Sequence, residues 1–270
     1  MQTLERIENY MQNGYLKYVR LDGVWGNKDF EWKEIDPQVN ILVGINGSGK
    51  TTFLNVLYAL LNDDSTVLKK YKMDKSQSKT ISLENALLPD HVYFVRSFDT
   101  PANDRRKNES RLLQELNYVL YQNKDGFSFF NYRMKILNEP SRSEEIQKNI
   151  SVLFDVINEM FADTGKTVEI SKDSELVFRQ RELVLKVEDL SSGEKQLLLL
   201  LLTVFLQDNQ PSILFADEPE VSLHISWQQV LIDNLRRLNP NCQLIIATHS
   251  PSIISRGWGD KVVQMSSIVK

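Results

Sequence analysis

The 270-residue sequence is poor in metal-binding and redox side chains: it has one cysteine, Cys242, and three histidines, His91, His224 and His249. A single thiol cannot close an internal disulfide, and none of these residues has the spacing of a zinc site. A reducing, cytoplasmic setting is therefore expected. Long apolar runs are also missing. The longest, residues 197–206, is broken by Thr203 and reaches only about half of the ~20 residues that a membrane span needs. No membrane association is expected, and the run reads as a buried helix. The first residues, Met1-Gln-Thr-Leu-Glu-Arg-Ile-Glu, lack the basic start and apolar core of a secretory signal. Nor is there an excess of positive charge: 32 Lys and Arg against 36 Asp and Glu give a net charge of -4. Nucleic-acid binding would thus need a local patch. The basic clusters are Lys69, Lys70 and Lys72 with Lys75 and Lys79, and Arg105, Arg106 and Lys107 with Arg111. Such runs are ordinarily solvated surface, so nucleic acid is neither indicated nor excluded.

With 41% hydrophobic and 25% charged residues, the chain reads as one large domain with a subdomain. Residues 15–21 and 30–35 alternate as half-exposed strands do. Residues 40–43 form a short apolar run entering a glycine-rich turn, which suits a central strand covered on both faces. Helical spacing follows over residues 52–61. Residues 91–95 read as a strand, and the polar stretch 62–89 before them as loop or short helix. Residues 103–162 form a helical insertion, with interruptions that exclude a long coiled coil. Its aromatic residues Phe127, Phe129, Phe130 and Tyr132 lie where the helical pattern breaks, and an exposed cluster there would suit a partner. Residues 168–170, 175–178 and 182–187 form an antiparallel set. Two apolar strands, 213–216 and 244–247, flank a helix at 223–238 with Ser222 as its expected N-cap.

Gly44-Ile-Asn-Gly-Ser-Gly-Lys-Thr fits the P-loop pattern. Chance supplies such a match in on the order of one per cent of chains this long. In that loop, glycines let backbone N–H groups surround phosphate oxygens, which assigns nucleotide contact to Asn46, Gly47, Ser48, Gly49, Lys50, Thr51 and Thr52. Lys50 would neutralise the terminal phosphates, and the Thr51 hydroxyl would ligate magnesium. Ser212-Ile-Leu-Phe-Ala-Asp-Glu-Pro-Glu is an apolar strand ending in acids, placing carboxylates at the carboxyl edge of a sheet. Asp217 would hold magnesium, and Glu218 would polarise the attacking water. Leu190-Ser-Ser-Gly-Glu-Lys-Gln precedes the Leu197 helix and could by itself be a serine cap assisted by Glu194.

Together with Thr248-His249-Ser250, these segments resemble, in order, the Walker A, signature, Walker B and switch-histidine motifs of ATP-binding-cassette (ABC) ATPases. The Asn46-Gly47-Ser48 core, the Asp-Glu-Pro-Glu run, Leu223-His224 and Thr248-His249-Ser250-Pro251 are most similar to the RecF, SMC and OLD group. The resemblance implies an α/β P-loop NTPase with a mixed sheet core, an antiparallel β subdomain and an inserted helical subdomain. It implies ATP and Mg2+ as ligands and a head-to-tail dimer of two copies. Ser191 and Gly193 would then contact the γ-phosphate held by the partner copy, and His249 the phosphate held by its own. His224 is expected to be structural or to lie in a dimer loop. Three features depart from the common pattern. Ser192 stands for the first glycine of the signature, Glu194 stands for its glutamine, and Arg96-Ser-Phe-Asp stands where a metal-sensing glutamine is expected, leaving Asp99 as a weak candidate. Tyr18, Trp25 and Trp32 are near the expected adenine, each better suited to packing. The function implied is an ATPase switch for a separate effector protein, in phage defence or a DNA-related process. The alternative is the ATP-binding subunit of a membrane transporter. With twenty residues after Ser250, the appended nuclease domain of an OLD-type protein is not expected.

Overall fold

The computed structural model describes residues 14–73, 79–84, 91–96, 110–122 and 127–270. Asp99, Lys75, the basic run at Arg105 and the opening of the insertion at residues 103–109 lie outside the described residues. The chain divides into two compact units. One comprises Met1–Ser97, Asn209–Glu220 and Pro240–Lys270; the other comprises Phe98–Asp208 and Val221–Asn239.

The first unit is built on a five-stranded sheet, ordered Val262–Gln264, Val39–Val43, Cys242–Ala247, Ser212–Asp217 and Val92–Val95. Every pairing in it is parallel. Its middle strands are buried along nearly their whole length, as their unbroken apolar runs predict for strands covered on both faces. Helix Lys50–Leu61 contributes Phe53, Leu54, Val56 and Leu57 to the core. A separate antiparallel sheet pairs Tyr15–Val24 with Lys28–Trp32 on one side and with Lys79–Glu84 on the other. The last strand lies within the polar stretch that reads as loop. Its register against the first strand, with Val19 opposite Ile81, supplies the pairing that its local composition does not signal. Buried Gln243 joins the two sheets: its Oε1 accepts from the Leu16 N–H at 2.8 Å, and its Nε2 donates to the carbonyls of Leu16 and Asp36 at 3.0 and 2.7 Å. The antiparallel strands thus form sheets of their own, and the core sheet is parallel throughout.

The second unit is mainly helical. It contains Arg111–Asn117, the π-helical turn Tyr118–Gln122, Phe129–Asn138, Ser143–Phe161, Ser192–Phe205 and Ile225–Leu238. Its antiparallel sheet runs Thr167–Ile170, Leu176–Gln180, Leu183–Leu185. Phe161 sits at 5.5 Å from Phe178 and 5.7 Å from Trp227, ring centre to ring centre. The aromatic residues of the insertion do not form an exposed cluster. Phe129 and Tyr132 are buried against Phe205, and Phe130 is the exposed member. The Tyr132 hydroxyl donates to Asp208, which also receives Lys135 and Arg142. The helix expected from residue 223 starts at Ile225, and His224, not Ser222, is its cap: His224 Nδ1 accepts from the Ser226 N–H at 3.3 Å. Ser222 instead adopts φ 65° in the turn before it.

Candidate nucleotide-binding site

Sheet register brings the motifs of the first unit together. Ala247 lies opposite Asp217 on one side and Leu42 on the other. The next residues therefore emerge at one edge: the glycine loop after Val43, Glu218 after Asp217, and Thr248 and His249 after Ala247. Two backbone bonds hold this edge, from Glu218 N to the Ala247 carbonyl at 2.8 Å and from Thr248 N to the Leu42 carbonyl at 3.1 Å. This is the carboxyl edge, where open α/β sheets collect ligands.

The loop turns into its helix at Gly49, whose φ of 104° is a conformation that side chains disfavour. Lys50, buried at the first helical position, donates from Nζ to the Gly44 carbonyl at 2.8 Å and to His249 Nε2 at 2.6 Å. With Nε2 accepting, the imidazole carries its proton on Nδ1. Burial lowers the Lys50 pKa, while Glu218, Asp217 and Glu220 pull it back up. The Thr51 hydroxyl donates to Asp217 Oδ1 at 3.1 Å. Burial pushes the Asp217 carboxyl up to about 6, with the Thr51 bond opposing and the Glu218 charge adding to the rise. Glu218 holds φ 48°, a left-handed conformation that costs a non-glycine residue roughly 1 kcal/mol or more. Its Oε1 lies 3.7 Å from His249 Nε2.

A cavity of about 580 Å³ opens over this edge, lined by Asn46, Gly47, Gly49, Lys50, Thr51 and Thr52 with Lys28, Glu218 and His249. Ser48 is not in the lining; its Oγ is buried without a hydrogen-bond partner among the described residues. Lys28 belongs to none of the sequence motifs. It opens the strand Lys28–Trp32 and is half-buried, and its ammonium lies 4.0 Å from where a Cβ on Gly49 would stand. The Phe30 ring of the same strand comes within 3.5 Å of that same Cβ position. A lysine sixteen residues before Gly44 carries no local signal, because only the pairing of the hairpin brings it to the loop.

The signature-like residues belong to the second unit. Ser191 and Glu194 form a capping box: Ser191 Oγ accepts from the Glu194 N–H and Glu194 Oε2 from the Ser191 N–H, at 3.3 and 2.9 Å. Ser191 and Ser192 are exposed at the amino terminus of helix Ser192–Phe205. Gly193 is required by a close approach of backbone, since a Cβ there would lie 2.2 Å from the Ser222 carbonyl oxygen. The Glu194 carboxylate, otherwise destabilised by burial, is held below its usual pKa by Lys166 at 2.6 Å and by Ser191. Glutamate in place of glutamine is thereby matched by a half-buried cation.

The strand order, the glycine loop entering a helix and the acids on the neighbouring strand define an ABC-type P-loop ATPase of the RecF, SMC and OLD kind. The chain belongs to the family described as "AAA domain, putative AbiEii toxin, Type IV TA system", which residues 62–255 match. That match begins beyond the glycine loop and spans the signature-like segment, both acids and His249. Among named relatives, the chain is 26% identical over 229 residues to the Retron Vc95 probable ATPase of Vibrio cholerae serotype O1 biovar El Tor, covering 75% of this chain and 44% of that protein. It is also 26% identical over 257 residues to the lipoprotein-releasing system ATP-binding protein LolD of Buchnera aphidicola, covering 91% of this chain and 92% of that one. The chain spans less than half the length of the first curated relatives it matches. A solved SmcHead bound to the C-winged helix domain of ScpA aligns with TM-score 0.55 at 14% identity, covering 90% of this chain and 92% of that one. Among the described residues no helix is long and apolar enough to cross a membrane.

Proposed function

We propose that this chain binds ATP with magnesium over the glycine loop and hydrolyses it, that two copies close head to tail around the nucleotide, and that the closed state controls a separate effector in a defence or DNA-related process. The observation that carries the reading is the meeting of Lys50, the Thr51–Asp217 pair, Glu218 and His249 at one sheet edge beside an open cavity. In this reading the loop N–H groups from Asn46 to Thr52 and the helix amino terminus receive the phosphates. Lys50 exchanges the Gly44 carbonyl and His249 for terminal phosphate oxygens. Lys28, which has no ion-pair partner among the described residues, adds a second cation at a site where Asp217, Glu218 and Glu220 outnumber Lys50.

Thr51 and Asp217 fit magnesium: they offer two hard oxygen donors side by side, and such sites take the remaining ligands from water and phosphate. When bound, the ion would neutralise charge on the phosphates. Glu218 orients and polarises the attacking water, and its strained backbone is of the kind that clusters at functional positions. His249 contacts the γ-phosphate from its own copy, while exposed Ser191 and Gly193, in the first turn of helix Ser192–Phe205, complete the partner's site. The retron ATPase relative and the toxin-system description of the family support the defence setting. Similarity to the lipoprotein-releasing protein along nearly the whole chain sustains a second reading, the ATP-binding subunit of a membrane transporter; co-purification with a membrane permease would favour it.

Calorimetry and light scattering test the main reading. Lys50→Ala should lose ATP binding, and unchanged affinity would refute the phosphate site. Glu218→Gln should bind ATP, turn it over poorly and accumulate as a dimer. A mass that is the same with and without ATP would refute nucleotide-driven closure.

A further inference from the structure

The glutamate that ends the Asp-Glu-Pro-Glu run has so far entered only through its charge, yet one of its carboxylate oxygens gathers three hydrogen bonds at the sheet edge. Glu220 Oε1 accepts three hydrogen bonds, from Thr248 Oγ1 at 2.6 Å, the His249 N–H at 2.9 Å and the Ser250 N–H at 3.2 Å. The Ser250 N–H is shared with Thr248 Oγ1 at 2.9 Å. These N–H groups lie in the turn between strand Cys242–Ala247 and the short helix Pro251–Ile254, where neither a ladder nor a helix supplies an acceptor.

We propose that Glu220 is a positioning residue for His249, fixing through its backbone where the imidazole stands relative to Lys50 and Glu218. A carboxylate oxygen that binds the N–H of His249 and the N–H of the following residue fixes the peptide planes on both sides of the His249 Cα. That sets the direction of its Cα–Cβ bond. The imidazole is thereby aimed so that Nε2 reaches Lys50 Nζ at 2.6 Å and faces Glu218 at 3.7 Å. Buried Pro219 separates Glu218 from Glu220, and its ring fixes its own φ near -65°. The carboxylate facing the cavity and the one holding the histidine turn are therefore joined by a short, stiff link. A displacement of one strand end would reach the imidazole through that link and the three hydrogen bonds.

This inference rests on the reading that His249 acts in ATP turnover, and a double-mutant cycle separates the two. Steady-state ATPase rates of the full chain are measured for Glu220→Ala, Glu220→Gln, His249→Ala and the Glu220→Ala/His249→Ala pair. Glu220→Ala should lower kcat about tenfold or more with KM for ATP within about threefold, the pattern of an interaction made at the reacting centre. Glu220→Gln, which keeps an acceptor oxygen, should restore most of the rate. In the His249→Ala background, Glu220→Ala should cause little further loss. Equal losses in both backgrounds, an effect on KM alone, or a Gln variant as slow as Ala would overturn the role of Glu220 while leaving that of His249 intact. A full-rate His249→Ala would overturn both. If Glu220→Ala is poorly folded, Thr248→Val removes the shortest of the three bonds and should show the same non-additivity; additive loss there would also overturn the proposal.

Discussion

Replacing Asp217 by asparagine tests whether the site is built for a cation at the cost of metal-free stability. Asp217 is 6% exposed, and its pKa is raised from 3.8 to about 6, chiefly by burial. Between those values the folded chain holds a proton that the unfolded chain has released, so stability falls as pH rises through the window and levels off above about 6. A shift of about two units corresponds to roughly 3 kcal/mol, fully expressed at pH 8. Asparagine has no charge to desolvate and keeps an oxygen for the Thr51 hydroxyl. Urea unfolding without metal or nucleotide should therefore show Asp217→Asn more stable than the native chain at pH 8, by up to about 3 kcal/mol, and the advantage should shrink as pH falls toward 4. Millimolar magnesium with ATP should reverse the order at pH 8, because only the native chain offers the ion a carboxylate. An advantage of the same size at both pH values, or none at pH 8, would refute the electrostatic argument.

Three other outcomes follow from particular contacts. Lys28→Met should weaken ATP binding by about three- to tenfold, with the deficit shrinking as salt is raised; calorimetry at two ionic strengths checks this, and undiminished affinity would remove Lys28 from the site. Lys166→Met leaves buried Glu194 without its cation and should destabilise the chain by about 3–5 kcal/mol in chemical denaturation, with much of the loss recovered in Lys166→Met/Glu194→Gln. Ser191→Arg should leave ATP affinity of the isolated chain near normal but abolish ATP-dependent dimer formation in light scattering, since that side chain is exposed and enters only the partner's site in the proposed assembly.

How far the sequence discloses this protein depends on the range of the interactions involved. The glycine loop, the acids after Ser212–Asp217 and the residues after Cys242–Ala247 are legible because each follows an apolar strand directly. Parallel pairing then puts all three at one edge with no further information. Lys28, Glu220 and Lys166 are not legible in that way. Lys28 reaches the loop through a hairpin, Glu220 meets the His249 turn from a neighbouring strand, and Lys166 finds Glu194 across 28 positions of sequence. The same limit applies where local pattern misleads: Phe129 and Tyr132 look like a break in a helical pattern until Phe205 is packed against them, and Ser222 looks like a cap although its carbonyl faces Gly193. The signature-like segment shows why one glycine can answer two demands. Gly193 is required by the carbonyl oxygen of Ser222 whether or not a phosphate ever approaches it, so a Gly193→Ala variant would disturb packing and function together. Ser191, exposed and joined to Glu194 only through a local capping box, is the position where the proposed contact with a partner's nucleotide can be tested without that ambiguity.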